Sequence, residues 1–152
     1  MADATFEEGR EAPLNLGALE VEDLAVLSSL AQDAVFPVSE MSWRAKERRF
    51  ALLINRFRWE DQQAAERRGR TYERVQSLLV FDNVTAVSSQ GIDRRDKEMI
   101  LSLLAISFEP GDDGVGEILL TLAGDGAIRL RVEALEARLR DVTRPYAAPS
   151  RK

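Results

Sequence analysis

Apolar and polar residues alternate along most of the chain, which is typical of β-strands with one buried and one wet face. This alternation predicts strands at 14–19, 35–44, 50–59, 72–88, 99–108, 117–122 and 127–132. Asp82-Asn83 marks a turn inside the fourth of these segments, and Gly124-Asp125-Gly126 joins the last two as a hairpin. Because successive strands are joined by short turns, we expect an antiparallel sheet.

Two segments show helical spacing instead. The first runs over 21–33, where apolar residues recur every three or four positions after acidic Glu22 and Asp23. The second lies near the C-terminus and ends before Pro145, and its apolar stripe is Val132, Leu135, Leu139 and Val142. In this second segment Glu136 and Arg140 have the i,i+4 spacing of a helical ion pair. The pattern therefore predicts one N-terminal and one C-terminal helix.

These elements predict an α+β fold, with an antiparallel, strongly bent sheet of about six to seven strands covered by the two helices. Their order resembles that of a pleckstrin-homology-like domain, in which a terminal helix closes one end of a bent sheet. Residues 1–13 are polar and without periodicity, so we expect a flexible lead-in there. Residues 14–144 then form a single α+β domain, and 145–152 form a tail.

The 152 residues include no cysteine and no histidine. This composition excludes disulfides, thiolate nucleophiles, cysteine zinc sites and serine-histidine catalysis. The acidic and Gly-rich stretches match no calcium loop or phosphate loop. We therefore expect no metal, no cofactor and no catalytic residue, and an enzyme is the less favoured class of protein.

The net charge of −5 is unevenly distributed along the chain. Residues 1–40 carry −8, residues 41–97 carry +5 and residues 98–152 carry −2. An acidic chain makes nucleic acid an unfavoured partner, while the basic middle leaves room for a local anion site. The acidic start and the absence of a long apolar run predict a soluble cytoplasmic protein with no membrane contact.

The basic residues concentrate in a predicted hairpin at 42–59, with its turn at Ala45–Arg48. They are Arg44, Lys46, Arg48, Arg49, Arg56 and Arg58. Alternation predicts that Arg56 and Arg58 lie where the second strand leaves the core and emerges into water. Guanidinium groups bind phosphates and carboxylates in pairs of hydrogen bonds, so the group is a candidate anion-binding or partner-binding site. The alternative is a solvated face that keeps strand edges from pairing.

Three further residues of the hairpin are candidates for the same site. Trp43 and Trp59 are each next to an arginine, and we expect them to lie near each other across the hairpin. Aromatic rings interleaved with arginine are used by single-stranded nucleic-acid platforms, although large aromatics on strands are more often part of a core. Asn55 lies among apolar neighbours, where its amide could orient a ligand or make a structural hydrogen bond.

Several segments together resemble a known family. They are 46–52, 55–59, 91–93, 101–106, 127–130, 132–133 and 136–139. The chain resembles, over roughly residues 14–144, an uncharacterised family of small alphaproteobacterial proteins catalogued as a domain of unknown function. The resemblance implies a bacterial, cytoplasmic, stand-alone domain. It implies no activity, cofactor or catalytic residue.

The leading hypothesis is a non-enzymatic protein-interaction or accessory domain. It is motivated by the missing catalytic residue types and by a basic hairpin on an acidic protein. The alternative is a sensor that binds an anionic small molecule through the arginine-rich hairpin, which requires Arg49 and Arg56 to face one concave site. Self-association into a homo-oligomer through an exposed sheet is compatible with both.

Overall fold

The computed structural model describes residues 13–67, 69 and 73–147. Within these ranges it contains two helices, α1 (Val21–Ala31) and α2 (Gln62–Arg67). The same ranges contain eleven strands, which are β1 (Asn15–Ala18), β2 (Val35–Pro37), β3 (Met41–Arg44), β4 (Arg49–Phe57), β5 (Glu73–Phe81), β6 (Val84–Gln90), β7 (Ile100–Pro110), β8 (Gly116–Leu122), β9 (Ala127–Val132), β10 (Ala137–Asp141) and β11 (Tyr146–Ala147).

All the strands belong to one antiparallel sheet, which does not close on itself. Its order is β1-β10-β5-β4-β2-β7-β8-β9-β6, while β3 pairs with the first part of β4 and β11 with the first part of β5. β7 joins the two halves of the sheet, because its first residues pair with β2 and the rest pair with β8. The antiparallel sheet expected from the short connections is therefore confirmed.

A two-residue connection shows how strongly this sheet bends. β5 is the third strand in the order and β6 is the last, yet only Asp82 and Asn83 separate them in sequence. A connection of two residues spans no more than about 10 Å. The edge of the sheet formed by β6 must therefore curl back towards β5. Asn83 has a φ of 63°, and Val84 N donates to Arg48 O at 2.9 Å, which ties the start of β6 to the β3–β4 turn. The core fills the space between the two halves.

Helix α1 covers one opening of the bent sheet. Leu24 and Leu27 are buried against the core, as the helical spacing predicted. On the polar side, Ser28 Oγ accepts a hydrogen bond of 2.9 Å from Ile106 N, beyond the part of β7 that pairs with β2. The helix thus supplies an acceptor to the edge of β7 that faces away from β8, where no described strand pairs with it beyond Ser102. The N-terminal helix is confirmed, and it ends at Ala31 rather than at residue 33.

The predicted C-terminal helix is wrong, because strand β10 forms in its place. Leu139 alternates with exposed Arg138 and Arg140, so the segment fits a period of two as well as a period of 3.6. β10 inserts between β1 and β5, where Leu139 pairs with Leu16 and Leu79 and is fully buried. Tertiary pairing therefore decides between two patterns that the sequence supports equally.

The number of strands was also underestimated, and the pleckstrin-homology-like order depended on the helix that β10 replaces. Helix α2 lies in a stretch to which the pattern above assigns neither a helix nor a strand, and its Gln, Ala, Glu and Arg residues are good helix formers. Residues 146 and 147 of the predicted tail form β11. The lead-in at 1–12 and the end of the tail at 148–152 lie outside the described residues.

In the part of the chain that the structure describes, neither helix is long and apolar enough to cross a bilayer.

Two glycines of the sheet provide a test of this packing. A Cβ on Gly116 would lie 2.6 Å from Glu109 O and 2.7 Å from the Phe108 ring, whereas a Cβ on Gly17 would first meet the flexible guanidinium of Arg138 at 3.6 Å. We expect Gly116→Ala to lower the free energy of unfolding by about 1–3 kcal/mol through overpacking, and Gly17→Ala to leave it nearly unchanged. Urea unfolding of both variants measures the difference. Equal effects would contradict the pairing of β7 with β8 described above.

Candidate functional site

The β3–β4 hairpin forms as predicted, with its turn at Ala45–Glu47 and Arg48 in the left-handed region. The register pairs Trp43 with Phe50 and Arg44 with Arg49. Phe50 is buried in the core, but Trp43 lies at the end of the hairpin and is 37% exposed. β3 pairs only with β4 among the described strands, so the backbone on its other edge is not paired with a described strand. We call residues 43–49 the hairpin end.

Four basic residues lie at the hairpin end, and they differ in their partners. Arg49 Nε donates to Asp82 Oδ1 at 2.8 Å, and this hydrogen bond and the charge of Asp82 raise the pKa of Arg49. Arg48 pairs with Glu133. The side chain of Arg44 is 66% exposed and lies 3.5 Å from Glu47, while Lys46 forms no ion pair with any described residue. Arg44 and Lys46 are therefore the least engaged cations of the hairpin.

Arg56 has the opposite environment, because it is fully buried. Its Nη1 and Nη2 donate to the two carboxylate oxygens of Glu60 at 3.0 and 2.9 Å. Nη2 also donates to Asp141 at 3.0 Å, Nε to Ser77 Oγ at 3.0 Å, and Nη1 to the Phe57 carbonyl at 3.0 Å. All three nitrogens of the guanidinium are thus bound by groups of the same chain.

The carboxylate of Asp141 connects this arginine to the rest of the fold. Besides Arg56 it accepts hydrogen bonds from Ser77 Oγ at 2.6 Å and from Leu14 N at 2.9 Å. Burial acts to lower the pKa of Arg56, but Glu60 and Asp141 outweigh it, so the pKa is raised and the charge persists. We call Arg56, Glu60, Ser77 and Asp141 the buried ion cluster.

The expectation that Arg56 and Arg58 emerge into water is wrong. Arg58 is only 8% exposed and pairs with Glu73 and, at 3.6 Å, with Asp61. Both arginines continue the inner row of β4 because carboxylates from other elements reach them there. Sequence reasoning overlooked Glu60 and Asp141. The available signal was an arginine on a row otherwise filled by buried apolar residues, with an acid four residues later.

The remaining candidates are dispersed. Trp59 lies beyond the end of β4, where its Nε1 donates to Gln32 O at 2.9 Å and its ring packs 5.3 Å from that of Phe57. It is therefore at the opposite end of the strand from Trp43. Asn55 is half-buried, and Arg74 Nη1 lies 3.4 Å from its Oδ1.

The arginines do not form one site. Arg49 is exposed and Arg56 is buried, on opposite faces of β4. Seven residue steps along the strand separate them by about 23 Å. The shared concave site that the anion-sensor hypothesis required is not formed by these two residues. The hairpin end, with Trp43, Arg44, Lys46, Arg48 and Arg49, remains as the candidate surface.

Comparison with known proteins identifies a family but no function. The model of a family described as "Protein of unknown function (DUF2948)" matches residues 14–152. No curated protein and no solved structure matches the chain.

The buried ion cluster makes a testable prediction about stability. Arg56→Leu leaves the buried carboxylate of Asp141 without its cation and removes the nearer of the two cations beside Glu60, so we expect the free energy of unfolding to fall by about 3–5 kcal/mol. Arg44→Leu removes an exposed cation of the same hairpin and should change it by no more than about 0.5 kcal/mol. Urea unfolding followed by circular dichroism measures both.

A double variant separates loss of charge from loss of packing. Arg56→Leu combined with Asp141→Leu removes the uncompensated carboxylate as well, so it should lose less stability than the two single changes added together. Strict additivity would show that Arg56 and Asp141 do not act as a pair.

Proposed function

The chain belongs to the DUF2948 family of proteins of unknown function, and we propose that it is a non-enzymatic interaction domain whose partner docks on the hairpin end. The observation that carries this proposal is the exposed Trp43 on a short strand at the margin of the sheet. Tryptophan and arginine are the residue types that most often anchor protein interfaces.

The chemistry of the hairpin end favours an acidic partner segment. Arg44 and Lys46 are exposed and weakly engaged within the chain, so their charges are available to carboxylates of another protein. The side of β3 that faces away from β4 offers backbone groups to an extended segment, which would add a strand there. Trp43 would supply the apolar contact beside this added strand. The proposed partner is therefore an extended, acidic segment of another protein.

The same contacts make a free anionic metabolite the less favoured ligand of the hairpin. Arg48 and Arg49 already hold Glu133 and Asp82, and Arg56 and Arg58 are engaged inside the protein. A small anion would have to compete with these carboxylates for the same donors. A protein segment that also contacts Trp43 gains apolar burial that a small anion does not.

The proposed setting is the bacterial cytoplasm, which is compatible with a chain that contains no cysteine to oxidise. Self-association remains a prediction, and the experiment below distinguishes it from binding of a different protein.

A photocrosslinking residue in the hairpin tests the proposal. Placed at exposed Ser42 on β3, it should give a discrete adduct in cells that produce the protein, and placed at exposed Ser107 on β7 it should not. Trp43→Ala or Arg44→Glu, added to the Ser42 position, should abolish the adduct because each removes an anchor. Arg95→Glu is the matched charge reversal on a side chain that is 93% exposed and outside the hairpin, and it should leave the adduct unchanged.

Three outcomes would overturn the proposal. One is the same adduct from both crosslinker positions, and another is an adduct that persists in a folded Trp43→Ala variant. The third is an adduct made of two copies of this chain, which would show that the hairpin end binds a second copy instead of an acidic segment of another protein.

A further inference from the structure

A depression of about 130 Å³ lies in the second half of the sheet, away from the hairpin end. It is lined by residues of β6, β8 and β9, which are Ser88, Ser89, Gln90, Leu119, Ala127 and Arg129. We call it the Arg129 depression. Its volume is roughly ten times the space that one water molecule needs, so it has room for a small polyatomic ligand.

The register of the strands explains why this depression exists. Arg129 of β9 is paired with Ser88 on β6 and with Leu119 on β8, so these three side chains form one row across the sheet. In the next row Ala127 is paired with Gln90. The small side chains of Ser88 and Ala127 beside the long one of Arg129 leave space above the sheet, and the guanidinium borders that space.

The donors that line the depression are not satisfied within the described part of the chain. Arg129 Nε lies 3.6 Å from Glu117 Oε1, beyond hydrogen-bonding distance, and its side chain is 57% exposed. The side chains of Ser88, Ser89 and Gln90 form no hydrogen bond with any described residue. Arg56 shows the contrast, because every nitrogen of its guanidinium is bound inside the chain.

We propose that the Arg129 depression binds a phosphate-sized oxyanion. The guanidinium would donate two parallel hydrogen bonds to it, and the Ser88 hydroxyl and the Gln90 amide, which lie on the same face of the sheet, would donate to its remaining oxygens. Glu117 lies beside Arg129 and, at 3.9 Å, also near Arg131. Its negative charge opposes an incoming anion, so the site would bind its ligand weakly and reversibly.

Titration with inorganic phosphate, followed by amide NMR at constant ionic strength, tests this site. We expect saturable shifts of residues 88–90 and 127–129. Arg129→Gln should weaken binding by about tenfold or more, since it removes a charge-assisted pair of hydrogen bonds. Arg131→Gln is the matched control, because Arg131 shares Glu117 but does not line the depression, and it should change the affinity by less than about twofold.

Two further variants sharpen the test. Glu117→Gln removes the competing carboxylate and should tighten binding, while Arg129→Lys keeps the charge but loses the planar pair of donors and should weaken it. A parallel titration with acetate decides which oxyanion group is recognised. Saturable binding of phosphate alone identifies a phosphate group, and binding of both identifies a site that also takes carboxylates.

The proposal would be overturned by the absence of a saturable response to either anion up to the millimolar range. It would also be overturned if Arg129→Gln and Arg131→Gln weakened binding equally, because that result indicates diffuse attraction to positive charge. The NMR spectrum of each variant shows directly whether it is folded.

Discussion

The ionic contact of Arg56 with Asp141 sets the alignment of the first half of the sheet. Removing two charges from water costs several kcal/mol per ion, and their attraction offsets this only with good geometry and further hydrogen bonds. Ser77, Glu60 and the Phe57 carbonyl supply those hydrogen bonds. A slip of β4 by one residue would turn Arg56 to the outer face and leave Asp141 uncompensated. The contact therefore penalises wrong registers of β4, β5 and β10 as well as contributing to stability.

The arginines of this chain divide into two kinds, and the division guides the functional interpretation. Arg56 and Arg58 are buried and matched by carboxylates, so their replacement would act mainly through the fold. Arg44 and Arg129 are exposed and only loosely paired, so they are where binding energy for another molecule is available. Sequence spacing alone places Arg44 and Arg56 in one cluster. The structure separates them, because the guanidinium donors of Arg56 are hydrogen-bonded inside the chain and Arg44 is exposed beside Glu47.

Local signals were enough to predict the elements whose contacts are local. Helix α1, the β3–β4 turn and the β8–β9 hairpin each carry their own spacing or turn residues within about a dozen positions. The segment of β10 fits two periods, and only its insertion between β1 and β5 decides between them. The burial of Arg56 depends on Ser77 and Asp141, which are 21 and 85 residues away in sequence. Partners so distant in sequence cannot be identified from the residues around the arginine.

The pairing of β1 with β10 joins residues near the two ends of the chain, since Leu14 N donates to Asp141 across 127 positions. Among the described strands β1 pairs only with β10, so during synthesis from the N-terminus it has no such partner until β10 has been made. At ribosomal rates of about 5–20 residues per second, this delay is on the order of ten seconds. During this delay Arg56 lacks one of its two carboxylates, whereas α1 gains its main neighbour, β7, before β10 is made. Strand β1 therefore stays unpaired until β10 emerges, so this edge of the sheet is completed after the rest of its first half has been made.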